Sequence, residues 1–157
     1  MRNEGNPLSI TIRLARLDDI PRMCDLLDEL FCIESDFVPD SEKQAHGLSA
    51  LIADPSGTVL VLVAVSDALV VGMATVQTLI STAEGGRVGL VEDVIVDRNF
   101  RSNGIGTLLF EEIMAWSRSA GLKRLQLLAD RDNQRALDFY SIRSFETTRL
   151  ICLRKML

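Results

Sequence analysis

Two carboxylates, Glu92 and Asp93, interrupt an otherwise apolar stretch that runs Leu90-Val91 and then Val94-Ile95-Val96. A carboxylate set among apolar neighbours is costly unless it is paired, hydrogen-bonded or protonated, so such a group is a candidate proton acceptor. Strand side chains alternate faces, which predicts that Glu92 and Asp93 point opposite ways and that one of them at most lines any cleft. The chain continues through Arg101-Ser102-Asn103-Gly104-Ile105-Gly106-Thr107 into a long amphipathic segment. A strand, a glycine turn and a helix start in that order offer free backbone N–H groups and the positive end of a helix dipole to an anion. Two better-known phosphate loops are disfavoured. A dinucleotide fingerprint asks for a third glycine at position 109, where Leu109 stands, and no Gly-Lys-Ser/Thr follows Gly106 as a P-loop requires.

The elements that must position these groups follow from periodicity. Residues 10–13 alternate as a half-buried strand. Asp18 or Asp19 is expected to cap a helix reaching Phe31, with Pro21 in its first turn and Ile20, Met23, Leu26, Leu27 and Leu30 on its apolar stripe. A polar connection over residues 34–41 leads to a second helix over 42–53, closed by Asp54-Pro55-Ser56-Gly57. Strands are predicted over 58–66, 69–81 and up to Val96, then a helix over 104–120 stopped by Gly121, a strand over 125–129 and a short helix over 133–142. Two final strands are predicted over 145–148 and 150–155. The order is mixed α/β with one sheet covered on both faces.

Bulk properties narrow the class. At 157 residues, 47% hydrophobic and 25% charged, the chain reads as one globular domain, 1–157. No apolar run approaches the ~18 residues of a membrane span. The N-terminal run Met1–Pro7 has no apolar leader-like region. Cys24, Cys32 and Cys152 lie in apolar contexts without disulfide or metal spacing, so a reduced, cytoplasmic protein with three core cysteines and no metal is expected. With 22 acids against 17 bases the formal charge is −5, which opposes nucleic acid and anionic membrane as partners and draws in cationic molecules. His46 is expected at the surface of the second helix.

The pattern Arg-x-x-Gly-x-Gly after a strand, with Val94-Ile95-Val96 before it, resembles the acetyl-CoA-binding signature of the GCN5-related N-acetyltransferases. The run from Asn133 to Tyr140, with Phe145 five residues further on, is similar to the later hallmark of that family. The resemblance covers the C-terminal half of the chain. It implies a mostly antiparallel sheet of six or seven strands with helices on both faces and a splayed strand pair that admits the pantetheine arm. It implies acetyl-CoA as co-substrate, held by the main chain of Val94, Ile95 and Val96, by Arg101, Ser102, Asn103, Gly104, Ile105, Gly106 and Thr107 around the diphosphate, and by Asn133. Glu92 is implied as general base and Tyr140, the one tyrosine, as general acid toward the departing thiolate. Homodimerisation through the C-terminal strands is also implied. The chain departs from the family pattern at Arg98, where proline is common, and at Ser144, where glycine is favoured.

The implied reaction is acetyl transfer to a primary amine of a small molecule or peptide, by direct attack in a ternary complex; no cysteine is placed as an acyl-enzyme nucleophile. At pH 7 an amine of pKa ~10.4 is unprotonated about once in 10³ molecules, a deficit of roughly 4–5 kcal/mol, so a base is needed. Two other readings stay open: a non-catalytic acyl-CoA-binding module of the same fold, and a nucleotide-binding fold of another kind. No code for the acceptor is legible.

Overall fold

A computed structural model describes residues 9–34 and 36–157; the run Met1–Pro7 lies outside them. The elements are β1 (Ile10–Leu14), α1 (Ile20–Ile33), α2 (Ser41–Ile52), β2 (Val59–Ser66), β3 (Leu69–Ser81), β4 (Gly86–Val96), α3 (Ile105–Ser119), β5 (Leu125–Leu127) and α4 (Gln134–Ser141). One sheet in the order β1-β2-β3-β4-β5 carries them, antiparallel up to β4 and parallel between β4 and β5. Its central strands are apolar on both faces because helices cover both. Met23, Leu26 and Leu30 of α1 pack with Val63 and Met73 on one side, and Leu109 and Ile113 of α3 pack with Val71, Val76 and Val91 on the other. The hairpin between β2 and β3 turns at Asp67 and Ala68, both at positive φ, the geometry that matches strand twist in a two-residue turn.

Several local expectations change. Asp19 does precede α1, but its carboxylate receives Arg13 at 2.7 and 2.8 Å and the Arg16 N–H at 2.7 Å instead of capping the helix. Cys24 is buried, whereas Cys32 and Cys152 are exposed, so the three do not form a core set. The sheet has five strands, not six or seven, because the predicted strands over 145–148 and 150–155 do not form. Phe145 still packs in the α3-side core, but no backbone–backbone bond involves residues 146–157. Leu150, Ile151, Leu153 and Met156 stand 88%, 76%, 86% and 82% exposed. Strand propensity there meets no neighbour to pair with, and a strand without a ladder is not stable alone.

One irregularity places the chemistry. Ala74 pairs with Val94 and Val76 with Val91, so Thr75 alone stands opposite both Glu92 and Asp93. This is a β-bulge, and it re-aims the side chains that follow it. Val91 and Val94 consequently both pack toward α3, which simple alternation forbids, and Asp93 turns back onto Thr75. The bulge thus breaks the period between Val91 and Val94, while Glu92 stands exposed and Asp93 turns inward.

Candidate active site

β5 accompanies β4 only from Gly89 to Val91. Beyond the bulge β4 runs on to Val96 with no strand partner on that side among the described residues, and the two strands part. A cleft of about 320 Å³ occupies the gap, walled by Leu30 and Ile33 of α1, by Val94, Ile95 and Val96, by the start of α3, and by Arg135, Phe139 and Tyr140 of α4. Arg101, Ser102, Gly104, Ile105, Gly106, Thr107 and Asn133 line it as well. Asn103 does not; its amide braces the loop by donating to the carbonyls of Phe100 and Arg101 at 3.0 and 3.2 Å. Neither Glu92, exposed at the bulge, nor Asp93, turned onto Thr75, is part of the lining.

The floor of the cleft has the properties an anion needs. Gly104 stands at the N-cap of α3 with φ +78, and no side chain caps the helix. The first bond into the helix is Leu108 N–H to Gly104 O at 3.1 Å. The N–H groups of Ile105, Gly106 and Thr107 thus have no protein acceptor among the described residues. A Cβ built on Gly104 would meet nothing within 4 Å, so the space above this turn is open. Gly106 is glycine for a different reason: a Cβ there would come within 3.1 Å of the Phe139 ring, so it admits α4 against α3. A diphosphate fits this cradle, and an extended amide-bearing arm fits along the main chain of Val94–Val96.

Carboxylates gather around the end of α1, outside the residues that line the cleft. The hydroxyl of Thr75 donates to Asp93 Oδ2 at 3.1 Å and accepts the Asp93 N–H at 3.2 Å. Burial pushes the Asp93 carboxyl up to about 6, opposed by that hydroxyl bond and aided by the charge of Glu92. Glu34, at the end of α1, is also raised, first by burial and then by Asp93, Asp130, Glu92 and Asp36. These five acids share one field. Asp93 retains slight solvent contact, which lets it exchange a proton with water.

Tyr140 sits in an aromatic cage, its ring edge-on to Phe110, Phe139 and Phe145 at centroid distances of 5.7, 5.4 and 5.7 Å. Burial, with Glu34 adding and Arg143 opposing, pushes its hydroxyl up to about 12. Proton transfer to a departing thiolate whose conjugate acid has a pKa of ~8.5 would then be uphill by roughly 5 kcal/mol, against about 2 for an ordinary tyrosine. At this site Tyr140 stays protonated throughout the working range and is suited to hydrogen-bond a developing thiolate without full transfer.

Several lining residues carried no sequence signal of function. Leu30 was legible only as helix stripe, Ile33 lies just beyond the predicted helix end, and Arg135 and Phe139 sat inside a recognised run without a role. Asp97, buried and ion-paired with Arg22, was also silent; it accepts the Asn99 N–H at 2.8 Å and fixes the approach to the cradle. His46 is exposed on α2. Among the described residues no helix is long and apolar enough to cross a membrane.

The sequence profile of the acetyltransferase (GNAT) family matches residues 20–145. An aminoglycoside N(6')-acetyltransferase type 1 of Stenotrophomonas maltophilia is 30% identical over 90 residues, 55% of this chain and 58% of that protein. The chain thus spans under two thirds of that relative's length. Among solved structures, a transcriptional regulator from Bacillus halodurans C-125 superposes with a TM-score of 0.82 at 21% identity, covering 94% of this chain and 100% of that one. Aminoglycoside N-acetyltransferase AAC(6')-Iy in complex with CoA superposes with a TM-score of 0.80 at 16% identity, covering 98% and 99%. At these identities the two structures speak for the fold.

Proposed function

Because the chain belongs to the acetyltransferase (GNAT) family, we propose that it transfers an acetyl group from acetyl-CoA to a primary amine of a small cationic molecule. One observation carries this reading: the parted β4 and β5 open a single cleft that joins an uncapped helix start to Tyr140, whose hydroxyl feels the charge of Glu34 and, through it, a cluster of carboxylates just outside the lining. The bound co-substrate supplies an acetyl thioester, whose carbonyl the amine attacks and whose thiolate departs. The chain supplies the rest. The N–H groups of Ile105, Gly106 and Thr107 hold the diphosphate, with Gly104 leaving room for it, and the main chain of Val94, Ile95 and Val96 holds the pantetheine amides at groups other than the Val96 carbonyl, which Arg101 occupies. Ser102 and Asn133 line the same path. Asn103 and Arg101 keep the loop in shape.

Proton removal falls to the bulge. Glu92, exposed, meets the incoming ammonium, and Asp93, tuned to about 6, is the acceptor closest to neutrality. The negative field of Glu34, Asp36 and Asp130 favours a polycationic acceptor. The aminoglycoside-acetylating relative supports that class. Thiol release from acetyl-CoA with a panel of aminoglycosides, polyamines and amino acids tests the reading, with Glu92→Gln, Asp93→Asn and Tyr140→Phe alongside. Turnover confined to neutral or acidic amines contradicts the acceptor class. Coenzyme A binding with no turnover on the panel favours a non-catalytic acyl-CoA-binding module.

The active form is a homodimer in this reading, with residues 146–157 of each copy laid along the outer edge of β5 of the other. Among the described residues the segment has apolar side chains and no backbone–backbone partners, and β5 has a free edge, so one exchange satisfies both and closes with two-fold symmetry. Arg149, Arg154 and Lys155 against Glu146 make the segment basic in an acidic chain. Light scattering should give twice the 17.4 kDa chain mass, and Leu150→Asp with Leu153→Asp should give a folded monomer. A wild-type monomer at ~100 μM, a concentration at which even interfaces of micromolar Kd associate, refutes it.

A further inference from the structure

The family pattern places an arginine at the head of the glycine turn, but Arg101 is already engaged. Its Nε donates to Val96 O at 2.8 Å, and its Nη2 stands 3.5 Å from the Glu29 carboxylate of α1. The same carboxylate oxygen accepts the Arg98 N–H at 3.3 Å. Arg101 therefore ties α1 to the end of β4, and these two attachments hold its guanidinium in place. A second cation reaches the cleft from the opposite wall. Arg135, in the first turn of α4, has Nη2 3.3 Å from the Ser102 hydroxyl and faces no carboxylate within salt-bridge distance among the described residues. It is exposed, lines the cleft, and keeps most of its five donors free. Ser102 is held at φ +67 in the turn itself, so its hydroxyl fixes Arg135 beside the cradle. Resting on the acyl-CoA reading above, we infer that Arg135 is the cation that binds the phosphates of the co-substrate and that Arg101 is a positioning residue.

The two roles separate in calorimetry with coenzyme A at 50 to 300 mM NaCl. Removing one charge-assisted phosphate contact lowers affinity about tenfold, and a direct ion contact weakens with salt. Arg135→Gln should bind coenzyme A about tenfold more weakly at 50 mM salt, with a flatter salt dependence and an unchanged Tm. Arg135→Lys should recover the salt slope. Arg101→Gln should lower Tm and keep the wild-type salt slope in the binding that persists. Wild-type affinity and slope in Arg135→Gln, or a flattened slope in Arg101→Gln, overturns the assignment. Dephospho-coenzyme A locates the contact: an equal loss for both ligands places Arg135 on the diphosphate, and a loss confined to coenzyme A places it on the 3′-phosphate. A wild-type protein that binds no coenzyme A defeats the acyl-CoA reading itself, which is a different failure.

Discussion

Replacing Asp93 by Asn makes the most discriminating test of the bulge, because it predicts a gain of stability with a defined pH profile. The Asp93 carboxyl is raised from 3.8 to about 6, chiefly by burial. Its folded-state affinity for a proton exceeds that of the unfolded chain, so the native state holds the extra proton across that window and stability falls as pH rises through it. Each pKa unit is ~1.36 kcal/mol, so ionising Asp93 costs the wild type roughly 3 kcal/mol once pH passes about 6. Asparagine mimics the protonated acid and escapes that cost. Urea denaturation should therefore show Asp93→Asn equal to wild type near pH 4, increasingly more stable between pH 4 and 6, and ahead by up to about 3 kcal/mol at pH 8. For a chain of this size that corresponds to roughly 6–12 °C in Tm. Turnover should move the other way, falling ~10²–10⁴-fold as the proton acceptor is lost. A stability difference that is flat with pH, or that shrinks above pH 6, would mean the ionised carboxylate is the favoured form at the bulge, and the acceptor role would go with it.

Tyr140→Phe should reduce kcat by no more than ~10²–10⁴-fold and leave coenzyme A affinity intact, since the hydroxyl assists departure without binding the ground state; a change confined to affinity would contradict this. Gly89→Ala should destabilise by about 1–3 kcal/mol in chemical denaturation, because a Cβ there comes within 2.5 Å of Leu125 on β5 and 3.2 Å of Val76. Ser144→Gly should stabilise by roughly 1 kcal/mol, since Ser144 is held at φ +64 where an L side chain is strained; an unchanged midpoint would show the strain to be relieved by its surroundings.

The sequence determined what local chemistry can determine. The glycine turn announced an anion cradle, the period of α1 and α3 announced their buried stripes, and the succession of elements announced a mixed sheet with helices on both faces. The short helix after Asn133 was legible as well, and the structure shows the Asn133 side chain capping it by accepting the Ala136 N–H at 3.1 Å. Tertiary structure decided everything that depends on pairing. The bulge opposite Thr75 overrode the two-residue period between Val91 and Val94, and no single-strand pattern encodes a mismatch between two strands. The tyrosine of the pattern became a hydroxyl near 12 only when three phenylalanines closed around it. Arg101 matched the motif, yet Glu29, 72 residues away in sequence, claims it. The C-terminal residues carry strand propensity but no ladder, because a strand is a property of two segments and among the described residues the second is missing.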